Sequence, residues 1–246
     1  MGQKKPLAMV LLCASLLGGA PPVSAANTTS DRESLWGVDA TTATADVSDP
    51  LEPWNRVMFS LNDALYEAVL HPASDVYAAI VPTGGRQAVE RFFQNLLMPV
   101  HAVNALLQGK VDQTGIEIGR FVINTTIGGL GLFDVAATHF DLKSHREDFG
   151  QTLARYGAGD DVYLMWPLLG PSNLRDTIGT VGDGFLNPWH YYPEESLARA
   201  GIEGYSKFNM LSLHTEEIDE FKKASVDPYS AFRNAYLQMR HRKIAE

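Results

Sequence analysis

Apolar residues recur along this chain at helical rather than strand spacing. Val57, Leu61, Leu65 and Val69 follow one another at intervals of four, directly after Asp49-Pro50-Leu51-Glu52-Pro53-Trp54-Asn55-Arg56, where two prolines and two acids mark a helix start. The pattern predicts an amphipathic helix ending at His71-Pro72 and a short second one over 74–81 ending before Pro82, because the residue before a proline disfavours helical angles. Two helical segments follow, 84–97 and 99–107, with Pro99 as a kink or break. Phe92, Phe93, Leu96, Leu97, Val100, Val103, Leu106 and Leu107 cover most of their surface, and Gly109 closes the second.

The centre of the pattern is a predicted helix over 112–126 that runs into a charge-free stretch, 121–133, bracketed by Arg120 and Asp134. Apolar residues on every side of a wheel describe a helix buried in protein or facing lipid. Thirteen residues reach only ~20 Å as a helix, short of the ~20 residues that cross a bilayer, so the stretch fills a core or sits in one leaflet. Gly128, Gly129 and Gly131 then either end a core helix or shape an apolar opening, since glycine admits backbone angles and close approaches closed to other residues.

Beyond it, Asp134 is placed to cap a turn through His139, and 147–156 reads as a short helix stopped by Gly157. Residues 161–169 look extended, a lone strand that cannot make a sheet. Ser172 is the expected N-cap of a helix through Phe185, stopped by Asn187-Pro188. Helices over 193–213 and 215–224 come next. Asp227-Pro228 opens the last helix, which ends in Arg240-His241-Arg242-Lys243. The expected fold class is all-α, with little or no β structure and one helical domain over 49–246.

Composition narrows this further. The 246 residues are 45% hydrophobic and 10% aromatic, enough for one sizeable domain, and the net charge of −9 argues against nucleic acid as a partner. Lys4 and Lys5, the apolar run from Leu7 to Leu17 and Val23-Ser24-Ala25 form a secretory signal over 1–25. Residues 26–48, rich in Thr, Ala, Ser and Asp, read as a flexible tether. The single cysteine, Cys13, lies inside the signal. Val10-Leu11-Leu12-Cys13 fits a lipobox poorly, because Leu12 stands where a small residue belongs, so cleavage after Ala25 is expected over lipidation of Cys13.

Candidate chemistry is sparse. No G-x-S-x-G, H-E-x-x-H or P-loop pattern occurs, and no catalytic residue, metal or cofactor is assigned. His139, Asp141, His145, Arg146, Glu147 and Asp148 form a polar segment that reads as a solvated loop with capping acids, or alternatively as a metal or acid/base site, the latter that of a periplasmic hydrolase. A soluble helical scaffold is the third reading. Trp54, Trp166 and Trp189, with Tyr191 and Tyr192, suit a membrane-interface belt, although core packing explains single tryptophans equally well.

The series Asp49 to Arg56, Pro99 through Leu107-Gln108-Gly109, Arg120-Phe121 through Asn124-Thr125 to Gly131-Leu132-Phe133-Asp134, Glu147 to Leu153, Pro167 to Ser172 with Leu174-Arg175-Asp176, and Asp227-Pro228-Tyr229 with Ala235 to Gln238 resembles the MlaA (VacJ) family of Gram-negative bacteria. That resemblance implies a ring-like bundle of helices in one leaflet, with a central amphipathic channel. It also implies an outer-membrane, non-enzymatic transporter that removes phospholipid misplaced in the outer leaflet. The implied partners are phospholipid, the outer membrane, a trimeric porin and a soluble periplasmic lipid carrier. Phe121, Asn124, Ile127, Gly128, Gly129, Leu130 and Gly131 are then the candidates for lining the lipid path. Members are usually lipoproteins, and Cys13 departs from that pattern. Intact mass of the mature protein is expected to match a chain beginning at Ala26 without acyl groups, and an acylated chain beginning at Cys13 would overturn the assignment.

Overall fold

The computed structural model describes residues 48–159, 162–188, 191 and 193–246. The signal segment, Cys13 and nearly all of the tether lie outside them, as does Trp189. Within the unit 34–246 the described residues form nine α-helices and one β-hairpin. In chain order these are α1 (Glu52–Leu65), α2 (His71–Ile80), α3 (Thr83–Leu107), α4 (Val111–Thr126), α5 (Val135–Phe140), α6 (Phe149–Arg155), β1 (Tyr163–Trp166), β2 (Gly170–Asn173), α7 (Leu174–Leu186), α8 (Ser196–Ala224) and α9 (Pro228–Ala245). The mostly helical expectation holds. No helix among the described residues is long and apolar enough to cross a membrane.

Several boundaries differ from the sequence expectation for identifiable reasons. His71-Pro72 does not end the first helix, because a π-turn, Tyr66–Leu70, leads directly into α2. The His71 N–H bonds the carbonyl of Tyr66, five residues back, and the widened turn gives the Pro72 ring the room an α-turn denies it. Pro99 likewise sits inside one continuous α3, where burial of Phe93, Met98, Val100 and Ala105 around it outweighs one lost backbone hydrogen bond. The expected break near His214 is absent from α8, since no glycine or proline interrupts the chain there. The supposed lone strand has a partner: β1 pairs antiparallel with β2, and Ser172 lies in that partner strand. Asn173 caps α7 in its place, its side chain accepting from the Asp176 N–H at 2.6 Å.

The interior is polar to a degree no helical wheel announced. Asn55, Asn95, Asn104, Glu117, Arg120, Asn124, Asn173, Asp176, Asn209, Arg233 and Arg240 are all buried, whereas Val57, Leu61, Val76, Ile80, Ile118, Val122, Val181 and Phe185 are exposed. Asparagines do backbone work here. Asn55 of α1, fully buried, donates to the Tyr163 carbonyl at 3.1 Å and accepts from the Met165 N–H at 2.8 Å. Two turns on, Asn62 donates to the Trp166 carbonyl at 2.9 Å and accepts from the Leu168 N–H at 2.7 Å. The helix thereby satisfies the free edge of a hairpin that would be marginal alone.

A second organiser joins α6, α7 and α9. Arg240 donates to both oxygens of Asp148, at 2.6 and 2.9 Å, and to Asp176 at 2.8 Å, while Tyr236 donates to Asp176 at 2.6 Å. Burial opposes ionisation of Asp148, but the Arg240 guanidinium prevails and holds that carboxyl well below the usual range. Asp183 of α7 makes no ion pair among the described residues, and Arg240 acts on it only at a distance. Burial pushes it up to about 6 although it accepts from Asn104 and the Phe149 N–H. Apolar packing is local by comparison: Tyr163, Met165, Tyr229, Tyr236 and Leu237 form one cluster, and Phe221, Ala231 and Ala235 another.

The α6–α7 crossing is close enough to require glycine. A Cβ on Gly179 would lie 2.5 Å from the Gly150 backbone nitrogen, and one on Gly182 would lie 2.5 Å from the Phe149 ring. Gly201 of α8 faces open space. Gly179→Ala is therefore expected to cost about 1–3 kcal/mol through forced displacement of α6, whereas Gly201→Ala should be neutral or stabilise by up to about 1 kcal/mol through helix propensity. Melting of the detergent-solubilised variants measures both, and equal effects would refute the close-approach account.

Candidate functional site

Four polar positions of α4, Thr114, Glu117, Arg120 and Asn124, recur at intervals of three and four and occupy its buried face, with Arg120 only 4% exposed. Ile118, Val122 and Ile127 lie on the other side, Ile127 being 67% exposed. The helix is thus amphipathic with its polar stripe turned inward. What appeared from composition to be an apolar element delivers a charged residue and an amide to the protein interior.

These side chains are fixed by the segment that follows the glycine turn. Asp134 accepts from Arg120 Nη2 at 2.9 Å and from Asn124 Nδ2 at 2.9 Å, and caps α5 by accepting from the Ala137 N–H at 3.2 Å. Asn124 Oδ1 accepts from the Ala136 N–H at 2.9 Å, and Arg120 Nη1 also donates to the Leu142 carbonyl. Burial would raise the Asp134 pKa, yet the bonds from Asn124, Arg120 and Ala137 outweigh it and leave the carboxyl below its ordinary value. One turn earlier, Glu117 receives the His145 N–H and its pKa is raised by burial.

The turn itself uses glycine for closeness. Gly131 has φ +92°, and a Cβ there would sit 2.4 Å from Asn95 Cβ; a Cβ on Gly128 would sit 2.3 Å from the Phe133 carbonyl oxygen. Leu130, also at positive φ, is 61% exposed. This geometry brings the turn against α3, where Asn95 donates to Thr125 at 2.9 Å.

Between α3, α4 and the 131–146 segment lies a partly open cavity of about 90 Å³. Glu90, Gln94, Met98 and His101 contribute one face of α3, joined by Arg91 from the adjacent position. Arg120 and Asn124 come from α4, and Gly131, Asp134, Ser144 and Arg146 complete the wall. A space of this size admits several waters or one small polar group. Its residues carry both signs of charge, but Met98 and the aliphatic stems of the longer side chains make more of its surface apolar than polar.

Of the seven residues expected to line a lipid path, Asn124 and Gly131 border this cavity, and Phe121, Ile127, Gly128, Gly129 and Leu130 do not. The α3 face was missed, although Glu90 and Gln94 stand four apart on one side of that helix. Trp54 is half exposed, as an interface residue would be. Trp166 is tied down by its indole N–H, which donates to Thr177 at 3.0 Å.

The polar segment His139 to Asp148 is dispersed rather than gathered. His139 is exposed, Glu147 is buried and accepts from Gln108 at 2.9 Å and Lys110 at 2.8 Å, and Asp148 caps α6 while pairing with Arg240. Only Arg146 reaches the cavity wall together with Ser144. No group of three or more His, Cys, Asp or Glu among the described residues is placed to hold a metal.

A family profile described as MlaA lipoprotein matches residues 47–243. The chain belongs to that family. The Escherichia coli intermembrane phospholipid transport system lipoprotein MlaA is 34% identical over 203 residues, covering 80% of this chain and 78% of that protein. The Haemophilus influenzae protein of the same description is 29% identical over 196 residues, covering 78% and 77%. An uncharacterised protein of Rickettsia bellii is 37% identical over 205 residues, covering 81% and 78%. A solved structure described as the structural basis for maintenance of bacterial outer membrane lipid asymmetry is similar at TM-score 0.68 and 34% identity, covering 81% of this chain and all of that one. The match spans the polar stripe of α4, the glycine turn and the cavity, so the inverted helix lies inside the MlaA region rather than in an appended segment.

The Arg120–Asp134 pair makes a pH prediction. Because the folded pKa of Asp134 is lowered, its contribution is complete above the ordinary carboxylate value near 4 and is lost as pH falls through the lower folded value. Asp134→Asn leaves Arg120 buried without its counter-charge and should cost about 2–4 kcal/mol at neutral pH. The variant should also lose less stability than wild type between about pH 4 and pH 2. Parallel acid-denaturation profiles for the two proteins would contradict this.

Proposed function

We propose that this protein is a non-enzymatic phospholipid transporter of the outer membrane. It withdraws phospholipid from the outer leaflet through its polar interior and passes it to a soluble periplasmic carrier, beside a trimeric porin. The observation that carries the reading is the inverted polarity of α4, which turns Glu117, Arg120 and Asn124 inward beside a charged cavity and leaves Ile118, Val122 and Ile127 outward. An aqueous protein gains stability by the opposite arrangement; aliphatic side chains cost little outside when the surroundings are acyl chains. A phospholipid has the same two requirements, a polar path for its headgroup and an apolar surface for its tails. Membership of the MlaA family supports the assignment. The lipid asymmetry named for the similar solved structure supports it too.

Asn124 and Gly131 mark where the glycine turn meets the path. Gly128 and Gly131 are so tightly packed that valine at either position disturbs folding as well as passage, so a cleaner probe lies on α3. Gln94 lines the cavity and, among the described residues, bonds only Glu90 of its own helix, at 2.7 Å. The protein is expected to fractionate with outer membrane and to resist high-salt extraction, because apolar area rather than charge holds it there. A deletion strain should accumulate surface phospholipid. Wild type should reverse this, and Gln94→Leu should reverse it several-fold less well when compared at matched amounts of folded protein, its apolar side chain obstructing the passage of a polar headgroup. Recovery in the soluble periplasm, or a deletion strain with unchanged surface lipid, would overturn the proposal.

A further inference from the structure

The helix α3 begins with Thr83-Gly84-Gly85-Arg86 after Pro82, an end that no side chain closes. Pro82 stands at the N-cap without a side-chain bond to the helix, and the first turn carries no acid. The N–H groups of Gly85 and Arg86 turn back to the Pro82 carbonyl at 2.9 and 3.1 Å. Those of Thr83 and Gly84 come first in the helix and have no intrahelical acceptor. Pro82, Thr83 and Gly84 are exposed, and a Cβ on Gly84 would meet nothing within 4 Å, so the backbone here is open to close approach.

The charge held at this end has the wrong sign for the helix alone. Arg86, the fourth residue of α3, is 9% exposed and makes no ion pair among the described residues. A cation in the first turn opposes the helix dipole, and burying it without a counter-charge is costly. Its acceptors are all neutral: Nη1 donates to the carbonyl and hydroxyl oxygens of Ser212, and Nη2 donates to Thr83 Oγ1 at 3.3 Å. Nε is buried with no partner. The Nε and Nη2 N–H groups lie along one edge of the planar guanidinium, so the Thr83 contact aims that edge at the start of the helix. Glu90, one turn on, is bonded by Gln94 instead. Thr83 Oγ1 accepts from Arg86, which leaves the hydroxyl proton to donate outward. We propose that the start of α3 binds a phosphate-ester anion. Its oxygens accept from the N–H groups of Thr83 and Gly84 and from the Thr83 hydroxyl, and the Arg86 guanidinium supplies the opposite charge. Val76 and Ile80, which lead into this turn along α2, are exposed, so acyl chains on the ester find apolar surface beside the site. Thr83, Gly84 and Arg86 do not line the cavity between α3 and α4, so this site stands or falls apart from the transport reading.

The test follows the full-length protein in a phosphate-free maltoside detergent at constant ionic strength, by thermal melting and by amide hydrogen exchange over residues 82–86. The probes are short-chain phosphatidylglycerol, diacylglycerol of the same chain length, acyl-free glycerophosphoglycerol and inorganic phosphate. At about 100 times its Kd the phospholipid is expected to raise Tm by about 5 °C, and it should slow exchange over 82–86. The acyl-free ester and inorganic phosphate should slow the same amides only at about tenfold higher concentration, and diacylglycerol should leave them unchanged. Thr83→Asp places a carboxylate where the anion sits. Without ligand it should melt about 1–3 °C above wild type, and its exchange over 82–86 should no longer respond to phosphate compounds. Arg86→Gln keeps an amide donor for Ser212 and should lose the response as well. Unchanged exchange over 82–86 with every phosphate compound, a response that survives both substitutions, or a Thr83→Asp protein that melts below wild type would overturn the site. A diacylglycerol response equal to that of the phospholipid would rule out the phosphate contact. Equal potency of the acyl-free ester and the lipid would make the ligand a soluble phosphate ester and remove the lipid source.

Discussion

Hydrogen bonding among buried polar side chains is the constraint on which the structure depends. Arg240 between Asp148 and Asp176, Arg120 against Asp134, Asn55 along β1 and Asn209 donating to the Arg86 carbonyl at 3.0 Å each join segments far apart in sequence. Desolvation makes any one of these groups expensive if its partner is lost, so the set is demanding rather than simply stabilising. Such contacts specify one arrangement, because a helix rotated by a quarter turn would present a carboxylate to a carbonyl or an amide to a leucine. With part of the apolar surface left outward, hydrophobic burial is confined to local clusters such as Tyr163, Met165, Tyr229, Tyr236 and Leu237, and directional bonds share the role of choosing partners.

The same constraint explains how charged residues come to line the cavity. A hole in an aliphatic core stays dry and small, whereas here α3 and α4 approach through Asn95, Thr125 and the Gly131 backbone, leaving charged residues around a space that water or a small polar group can fill. Close packing at two glycine contacts sets the geometry around it. Gly131 lets the turn touch Asn95, and Gly179 lets α7 touch Gly150, next to the carboxylates that Arg240 binds. The cavity wall and the α6–α7–α9 network meet through the 144–148 segment: Arg146 faces the cavity, Glu147 is buried against Gln108, and Asp148 is held by Arg240.

Reading the sequence for local signals worked where the deciding residues are neighbours. Asp134 caps α5, Gly157 stops α6 with φ +92°, Asn187-Pro188 ends α7, and Asp227-Pro228 opens α9. These depend on the backbone rules of a few adjacent residues, and those rules act the same in any surroundings. The ordered series of motifs carried the family as well, and the shortness of the apolar stretch 121–133 excluded a membrane-crossing helix. Asn124 and Gly131 of the candidate site were legible because they lie within that stretch.

What only the tertiary structure decided is which face of each helix points inward. Periodicity marks two faces but not which solvent each one meets, and burying the polar face of α4 makes sense only beside partners such as Asp134 and Leu142 and beneath an apolar exterior. Pairings such as Asn55 with β1, more than a hundred residues away, leave no local trace, so the hairpin read as a lone strand and Ser172 as a cap. Pro72 and Pro99 failed as stops because a π-turn and distant packing supply what each proline removes. Glu90, His101 and Arg91 became a candidate site by the same route. Their meaning lies in what faces them across the cavity, and the fold alone brings α3, α4 and the 131–146 segment together.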